Sequence, residues 1–351
     1  MKRIIPPLLA ALALLSACAK VETAPSSPDG MAISFSPILG SVRTKADAAQ
    51  PTQNFTFISH AWYLPDGKNW EVNKAEAEPY IVNERITGFY DSGYLWKPAD
   101  GTTYYWPRGG SLTFLSYTCV SEDQSTIYDG LFTGTSNGTV SVNKTNGLTI
   151  TDFTNYITGD LLVADIEKDK RAGLNGVPTV FRHKLAKVSI YVSKEKTEDN
   201  YTITKISFTN IYHTATYSRG GYPDDEWSKR KNFTSYNMAP SSGSQSENFE
   251  VPAKPGLYAS NLIIPQNLLA TGQNETDAPR ETPQIIISYT KNGEDQTDIE
   301  RSLEILGTNY WDKGKEYKYY ITFGSGDNPI NFSGSIGEWD DSQKSDVNIG
   351  M

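Results

Sequence analysis

The feature that most constrains the fold is a series of short runs of β-branched and aromatic residues, each bounded by turn residues. Such runs occur at residues 112–117, 188–192, 203–208, 285–289 and 317–323. The chain also carries 28 Gly, 19 Pro and 21 Tyr, a composition that suits short strands better than long helices. Because strands of this length must bury one face, the pattern predicts an all-β, mostly antiparallel protein built from β-sandwiches.

Turn residues and one short helical segment refine this prediction. Four dipeptides are typical of β-hairpin turns: Asp66-Gly67, Asn137-Gly138, Asn146-Gly147 and Asn292-Gly293. The best helical candidate is a short one near residues 151–156.

The length and one polar segment predict two consecutive domains. A chain of 351 residues is long for one typical domain. Residues 165–178 are first charged and then rich in Gly and Pro, between two apolar runs. We therefore expect an N-terminal sandwich over residues 31–170 and a C-terminal sandwich over residues 171–351, although a long hairpin inside one domain would look the same.

The N-terminus predicts export and a lipid anchor. Lys2 and Arg3 precede an apolar segment at residues 4–15, which is the pattern of a secretory signal. The sequence Leu-Ser-Ala-Cys that ends at Cys18 resembles a bacterial lipobox, so residues 1–17 are a predicted lipoprotein signal peptide and Cys18 the lipidated residue. An ordinary secretory signal with a chance cysteine is the alternative. Residues 18–30 then form a polar tether.

Charge and cysteine content exclude several classes of protein. The net charge is −9, and removal of Lys2 and Arg3 with the signal would make it −11. Nucleic acids and anionic membranes attract positive fields, so no nucleic-acid partner is expected. Beyond Cys18, Cys119 is the only cysteine, and its apolar surroundings predict a buried side chain without a disulfide.

No pattern of catalytic, cofactor or metal-binding residues is present. His60, His183 and His213 are the only histidines and lack zinc-site spacing, and His183 is expected to be a partly buried structural imidazole. No phosphate-binding loop, nucleophile elbow or dinucleotide motif occurs. The acidic residues at 224–226 and at 338, 340 and 341 are interpreted as solvated turns rather than calcium ligands. We therefore predict a protein that is not an enzyme and has no cofactor or metal.

Six short motifs, taken together in their order, resemble the fimbrillin-like lipoproteins, which are subunits of type V bacterial pili. The motifs are Tyr105-Trp106-Pro107, the run at 112–117, Asp160-Leu161-Leu162-Val163-Ala164, the segment at 181–188, Leu262-Ile263-Ile264-Pro265-Gln266 and Gly314-Lys315-Glu316-Tyr317-Lys318-Tyr319. Each motif is weak by itself. The lipobox and the late Trp339 agree with the same resemblance.

The resemblance implies two transthyretin-like β-sandwich domains and a mechanism of assembly. Members are exported as outer-membrane lipoproteins, and a surface protease cuts after a basic residue in the loop that follows the first strand. Here Ile33 and Phe35 mark the removable first strand within residues 31–43, and Arg43 is the cleavage position, with Lys45 as a competing neighbour. Loss of that strand opens a groove that a strand of another fimbrial subunit fills, and the subunit is then part of a fimbrium at the cell surface. The receptor to which such a fimbrium would adhere is not indicated.

The C-terminus contains a possible donor strand for this exchange. Val347, Ile349 and Met351 alternate with polar or small residues, as a donated strand requires. Gly350 weakens the segment as a strand, and a frayed tail fits the residues equally well. Without a donor strand, the subunit would end a filament as tip members of the family do.

A surface glycan-binding lipoprotein that stays monomeric is the alternative function. Such a protein needs exposed aromatic platforms, which Tyr104-Tyr105-Trp106 or the segment at 227–233 could supply. Aromatic residues on strands are more commonly core residues.

Overall fold

Strands make up most of the chain that the structure describes, and the one α-helix found there is short. A computed structural model gives the fold of residues 30–39, 55–90, 94–121, 138–154, 159–173, 175–221, 224–238, 240, 248–269, 280–303, 309–324 and 330–339. Among these residues, no helix has the length and apolar character that a membrane crossing requires.

The elements follow the runs seen in the sequence, and the predicted all-β fold class is confirmed. The first half contains β1 (Phe35–Leu39), β2 (Thr56–Leu64), α1 (Trp70–Asn73), a 3₁₀ turn (Lys74–Glu76), β3 (Glu78–Tyr90), β4 (Tyr94–Pro98), β5 (Ser111–Ser121), β6 (Thr139–Asn143), β7 (Gly147–Thr154), β8 (Gly159–Ala164), β9 (Glu167–Lys170) and β10 (Val177–His183). The second half contains β11 (Ala186–Lys194), β12 (Tyr201–Arg219), β13 (Glu226–Asn237), β14 (Phe249–Glu250), β15 (Gly256–Ile263), β16 (Gln266–Asn267), β17 (Gln284–Lys291), β18 (Glu294–Asp295), β19 (Ile299–Ser302), β20 (Tyr310–Trp311), β21 (Lys315–Phe323) and β22 (Ile330–Glu338).

Seven strands of the first half close into a ring. The order is β2-β3-β4-β1-β10-β8-β5, and β5 also pairs with β2, which closes the sheet on itself. β9 pairs with β5 outside this ring. Closure matters because it leaves no unpaired edge, and β1 is one of the strands that complete it.

The inside of the ring is filled by apolar side chains, which we call the ring core. Successive side chains of a strand point to opposite faces of the sheet, so the residues of β2 alternate between the inside and the outside of the ring. Phe57 and Ala61 belong to the ring core, whereas Ile58 and Trp62 point away from it. Phe35 of β1 and Phe181 of β10 also lie in the ring core.

Two further sheets of the second half form a sandwich. One has the order β15-β11-β21-β22, and the other has the order β18-β17-β12-β7-β6 with β13 beside β12. Val188 and Tyr319 from the first sheet and Ile206 and Ile285 from the second pack in one buried cluster between the sheets. Burial of such alternating residues from two facing sheets is what the sequence pattern predicts.

A third buried cluster joins the two halves, and we call it the junction cluster. It contains Trp62 and Leu115 from the outer face of the ring together with Tyr217 from β12, Trp227 from β13 and Trp339 after β22. β12 serves both clusters, because its first residues pack in the sandwich and its last residues pack at the junction.

Strand pairing also shows where the sheets change along the chain. The expected division between residues 170 and 171 lies in the segment that joins β9 to β10, and both strands pair within the first sheet. The chain leaves that sheet for the last time after His183. β6 and β7, although early in sequence, pair with the sheet of β12.

The prediction of a helix near residues 151–156 is wrong for residues 151–154, the part of that segment that the structure describes. Residues up to Thr154 belong to β7. Asp152 has φ of 56° and the pairing of β7 with β12 shifts register nearby, so a bulge interrupts the alternation that marks a strand. Two of the four expected hairpin turns are confirmed: Asn146-Gly147 lies where β6 turns into β7, and Asn292-Gly293, with φ of 51° and 86°, joins β17 to β18. The prediction is wrong for Asp66-Gly67, which lies between β2 and α1, and Asn137 lies outside the described residues.

Candidate functional site

The groove that holds β1, between β4 and β10, is the part of the structure that bears most directly on the predicted removable strand. We call it the β1 groove. Burial alternates from Ile33 to the end of β1, as expected for a strand with one face in a core. The buried residues are Ile33, Phe35, Pro37 and Leu39, and the residues between them are half-buried.

Phe35 is the central side chain in the β1 groove. It is 3% exposed and makes edge-to-face contacts with Phe57 and Phe114, with ring centroids 5.6 Å and 5.9 Å apart. Full burial of a large apolar side chain contributes about 1.5–3 kcal/mol, and Ile33 and Leu39 are buried to a similar degree. β1 therefore covers a large part of the ring core.

Main-chain hydrogen bonds fix β1 on both sides. β1 runs parallel to β10, with Phe35 opposite Val177, and Phe35 also pairs with Trp96 of β4. Just before the strand, the Val177 amide donates to the Ser34 carbonyl at 2.7 Å, and the Ile33 amide donates to the carbonyl of Tyr104 at 2.8 Å. Removal of β1 would leave these groups of its neighbours unpaired, which is costly wherever water cannot reach them.

Gly176 lets β10 lie close to the start of β1. Its φ is +71°, and a Cβ at this position would lie 3.1 Å from the Ser34 carbonyl oxygen and 3.0 Å from the hydroxyl of Ser36. The Ser36 hydroxyl also donates to the Asn175 carbonyl at 2.6 Å. The positive φ and the narrow space both favour glycine.

Comparison with known families identifies the kind of protein that carries this groove. The family model described as fimbrillin-like matches residues 68–339, which is well over half of the 351 residues. The chain belongs to the fimbrillin-like family. The predicted resemblance is therefore confirmed, and this fimbrillin-like chain is a fimbrial or adhesion protein of the cell surface rather than an enzyme.

A solved fimbrial protein shares the fold of this fimbrillin-like chain. A fimbrial protein from Bacteroides vulgatus is 17% identical, with a TM-score of 0.59, and the match covers 88% of this chain and 99% of that one. The tip fimbrial protein Mfa3 from Porphyromonas gingivalis, truncated at its C-terminus, is 10% identical with a TM-score of 0.42, over 88% of this chain and 100% of that one. No curated protein matches the sequence.

The structure describes two of the predicted site residues. Ile33 and Phe35 both lie in the ring core, although β1 itself begins only at Phe35. The other predicted sites, which are Cys18, Arg43, Lys45, Val347, Ile349 and Met351, lie outside the described residues.

The aromatic segments considered for glycan binding are core or half-buried where the structure describes their side chains. Trp106 and Trp227 are 5% and 6% exposed. Tyr104 and Tyr105 are half-buried, and the hydroxyl of Tyr104 donates to Glu84 at 2.9 Å. These residues therefore do not form the exposed platform that the alternative function requires.

The acidic turn at residues 224–226 holds a buried ion pair that the sequence did not reveal. Asp225 lies 2.8 Å from the ammonium of Lys184, whose side chain is 2% exposed, and accepts hydrogen bonds from Lys313 at 2.9 Å and Tyr217 at 2.5 Å. Burial alone would raise the pKa of Asp225, but the Lys184 charge and these hydrogen bonds outweigh it and lower the pKa. The solvated-turn interpretation is therefore wrong for Asp225.

His183 is a buried structural residue, more completely enclosed than expected. Its Nδ1 lies 2.6 Å from a carboxylate oxygen of Asp160, and its ring stacks on Trp339 with centroids 3.8 Å apart. Within the described residues no group of three His, Cys, Asp or Glu side chains is arranged to hold a metal ion.

Cys119 is buried in the junction cluster, as the sequence predicted. Burial, with a smaller effect from the Asp160 charge, raises the pKa of its thiol well above the ordinary value. A thiol held in its neutral form is a poor nucleophile, so Cys119 acts as a small apolar core residue.

The burial of His60 leads us to predict that acid destabilises the fold. This residue is 7% exposed, and burial lowers its pKa from 6.5 to about 4. Its Nδ1 accepts from the Asn83 amide at 3.3 Å, and its Nε2 has no hydrogen-bond partner within the described residues. The imidazole of His60 binds a proton more readily in the unfolded chain than in the folded one. The free energy of unfolding is therefore highest above pH 6.5 and falls by about 3 kcal/mol as the pH drops toward 4.

The variant His60→Asn tests this pH dependence. Asn keeps an acceptor near the Asn83 amide but does not titrate. We expect the free energy of unfolding of the variant to fall less than that of the natural protein, by about 2–3 kcal/mol, between about pH 7.5 and about pH 4.5. Urea unfolding at the two pH values measures these free energies. An equal loss of unfolding free energy in the variant and in the natural protein would contradict the prediction.

Proposed function

We propose that the protein is a fimbrial subunit that is exported as a lipoprotein precursor, cut after Arg43 or Lys45, and assembled by strand exchange. The observation that supports this most strongly is the position of β1 as a member of a closed ring, with its apolar face in the ring core. In the proposal, the first strand leaves, and a strand of another subunit takes its place between β4 and β10.

The location of the basic residues suits this release. β1 ends at Leu39, and Arg43 follows four residues later, before β2 begins at Thr56. A cut after Arg43 therefore separates β1 from the rest of the fold. The same cut separates the subunit from the lipid at Cys18, because that residue lies on the released side. One proteolytic step would both free the subunit from the membrane and open the β1 groove.

The open groove would demand a replacement strand. Loss of β1 exposes the Phe57 and Phe114 rings that Phe35 covers, and it leaves β4 and β10 with unpaired edges. Exposed apolar surface and free strand edges both favour pairing with another chain. A donated strand fits best if apolar residues alternate along it, as they do in β1.

The C-terminal residues are our candidate donor. Val347, Ile349 and Met351 have the spacing of two that matches the alternating buried positions of β1. Gly350 lowers the strand tendency of this segment, so a donor of modest strength is expected. If the segment does not donate, the subunit ends a filament instead of extending it.

Limited trypsin digestion of the full chain tests the site of the cut. We expect the first stable product to begin at Thr44, because Arg43 precedes the paired strands that start with β2. In Arg43→Ala the product should begin at Ala46 instead, after Lys45. The variant with both Arg43→Ala and Lys45→Ala should resist this cut, and N-terminal sequencing reads all three results. A first cut within the ring strands would contradict the proposal.

A further inference from the structure

The ring core holds a fixed space for the side chain at position 35. Phe35 meets the rings of Phe57 and Phe114 edge to face, at interplanar angles of 80° and 89°. Each of these two rings has a further aromatic neighbour. The centroid of Phe57 lies 5.1 Å from that of Phe181, and the centroid of Phe114 lies 5.8 Å from that of Trp106. Because a wall that is packed from behind moves little into a gap, the space that β1 vacates keeps the shape of a phenyl ring.

Alternating buried positions define the rest of the β1 groove. Ile33, Phe35, Pro37 and Leu39 are buried. A strand that replaces β1 must place an apolar side chain at each of these positions, because an unfilled position leaves part of the ring core without contact. The groove therefore requires apolar residues at every second position from 33 to 39, with the largest side chain at position 35.

The residues between the buried positions are small where β1 meets β10. A Cβ on Gly176 would lie 3.1 Å from the Ser34 hydroxyl and 3.0 Å from the Ser36 hydroxyl. The backbone of β10 thus lies directly against these two side chains. A strand that takes the place of β1 is therefore favoured if it carries small residues at positions 34 and 36.

The C-terminal segment of this chain meets these requirements only in part. Val347, Ile349 and Met351 supply three apolar residues with the correct spacing, so one of the four buried positions stays unfilled in any register. Residues 340–351 contain no Phe, Tyr or Trp. Whichever residue enters position 35 therefore loses both edge-to-face contacts, and an aromatic pair of this kind is worth about two- to tenfold in affinity.

We propose that the β1 groove selects an exchanged strand with phenylalanine at position 35, and that this strand belongs to a different subunit rather than to a second copy of this chain. The inference rests on the strand exchange of the proposed function. Phenylalanine fits better than tyrosine or tryptophan, because those side chains carry a polar group that needs a partner when buried. When this chain is the only subunit present, its C-terminal segment still fills the groove, although weakly.

Competition between peptides on the trypsin-cut full chain tests this selection. The reporter is a fluorescein-labelled peptide of residues 32–40, whose fluorescence anisotropy rises when it enters the β1 groove. The competitors are the same peptide without label, its Phe35→Leu and Phe35→Ala forms, and a peptide of residues 345–351. We expect the Kd to rise by about tenfold for Phe35→Leu and by at least about a hundredfold for Phe35→Ala. For residues 345–351 we expect a rise of at least about tenfold.

The matched control is the Ile38→Val peptide, because Ile38 belongs to the same strand but is only half-buried. Its Kd should stay within about twofold of that of the natural peptide. If the Phe35→Leu peptide or residues 345–351 bound as tightly as the natural peptide, the selection would be overturned while strand exchange would stand. Absence of binding by the natural peptide itself would overturn strand exchange, and the inference with it.

Discussion

Phe35→Ala should lower the free energy of unfolding of the uncut chain by about 3–5 kcal/mol. The substitution removes a ring that is 3% exposed and contacts Phe57 and Phe114 edge to face. The cavity lies inside a closed ring of strands, which limits how far the surroundings can collapse into it. Urea unfolding followed by near-ultraviolet circular dichroism measures the loss.

Ile38→Ala is the matched control for this result. Ile38 belongs to the same strand and has the same pairing with β10, but its side chain is half-buried and lies on the other face. We expect a loss of about 1 kcal/mol or less. If both variants lost the same free energy of unfolding, the buried side chains of β1 would contribute no more to stability than the half-buried ones. That result would contradict the description of the β1 groove.

Asp225→Ala should cost about 3–5 kcal/mol, because it leaves the ammonium of Lys184 buried without its carboxylate. The Lys184 side chain is 2% exposed, whereas that of Asp225 is 25% exposed. Lys184→Met should therefore cost much less, about 1 kcal/mol, since Asp225 keeps Lys313 and Tyr217 as partners.

The double variant with Asp225→Ala and Lys184→Met separates the ion pair from simple packing. It should be more stable than Asp225→Ala alone, by about 1–3 kcal/mol, because no buried charge is left unpaired. Urea unfolding of the four proteins completes this cycle. If the single variants lose equal stability and their losses add, the unpaired-charge explanation is wrong.

The strands were predictable because their signal is local. Each of the apolar runs seen in the sequence lies in a strand, namely β5, β11, β12, β17 or β21. Apolar residues at every second position already indicate which face of such a strand is buried. Phe35 could be assigned to a core for the same reason. The helix expected near residues 151–156 shows the limit, since the bulge at Asp152 breaks the alternation of buried and exposed residues that marks a strand.

Features that depend on distant residues were not predictable. Closure of the ring needs β2 to pair with β5, and nothing in either strand specifies that partner. Asp225 stands in an acidic turn that resembles many solvated turns, and its partner Lys313 is 88 residues away. The sequence pattern that marks a charged turn is the same whether or not a lysine is buried against it.

Intact mass spectrometry of the assembled product shows whether β1 leaves the subunit before it polymerises. The full chain carrying Lys344→Gln, which protects the candidate donor segment from trypsin, is cut with trypsin. Polymers are then separated from monomers by gel filtration, and the peptides present in the polymer are weighed. We expect polymer subunits that begin at Thr44 or Ala46 and lack the peptide that contains Phe35. Polymers that retain this peptide in equal amount, or a cut chain that keeps it and stays monomeric, would contradict the claim.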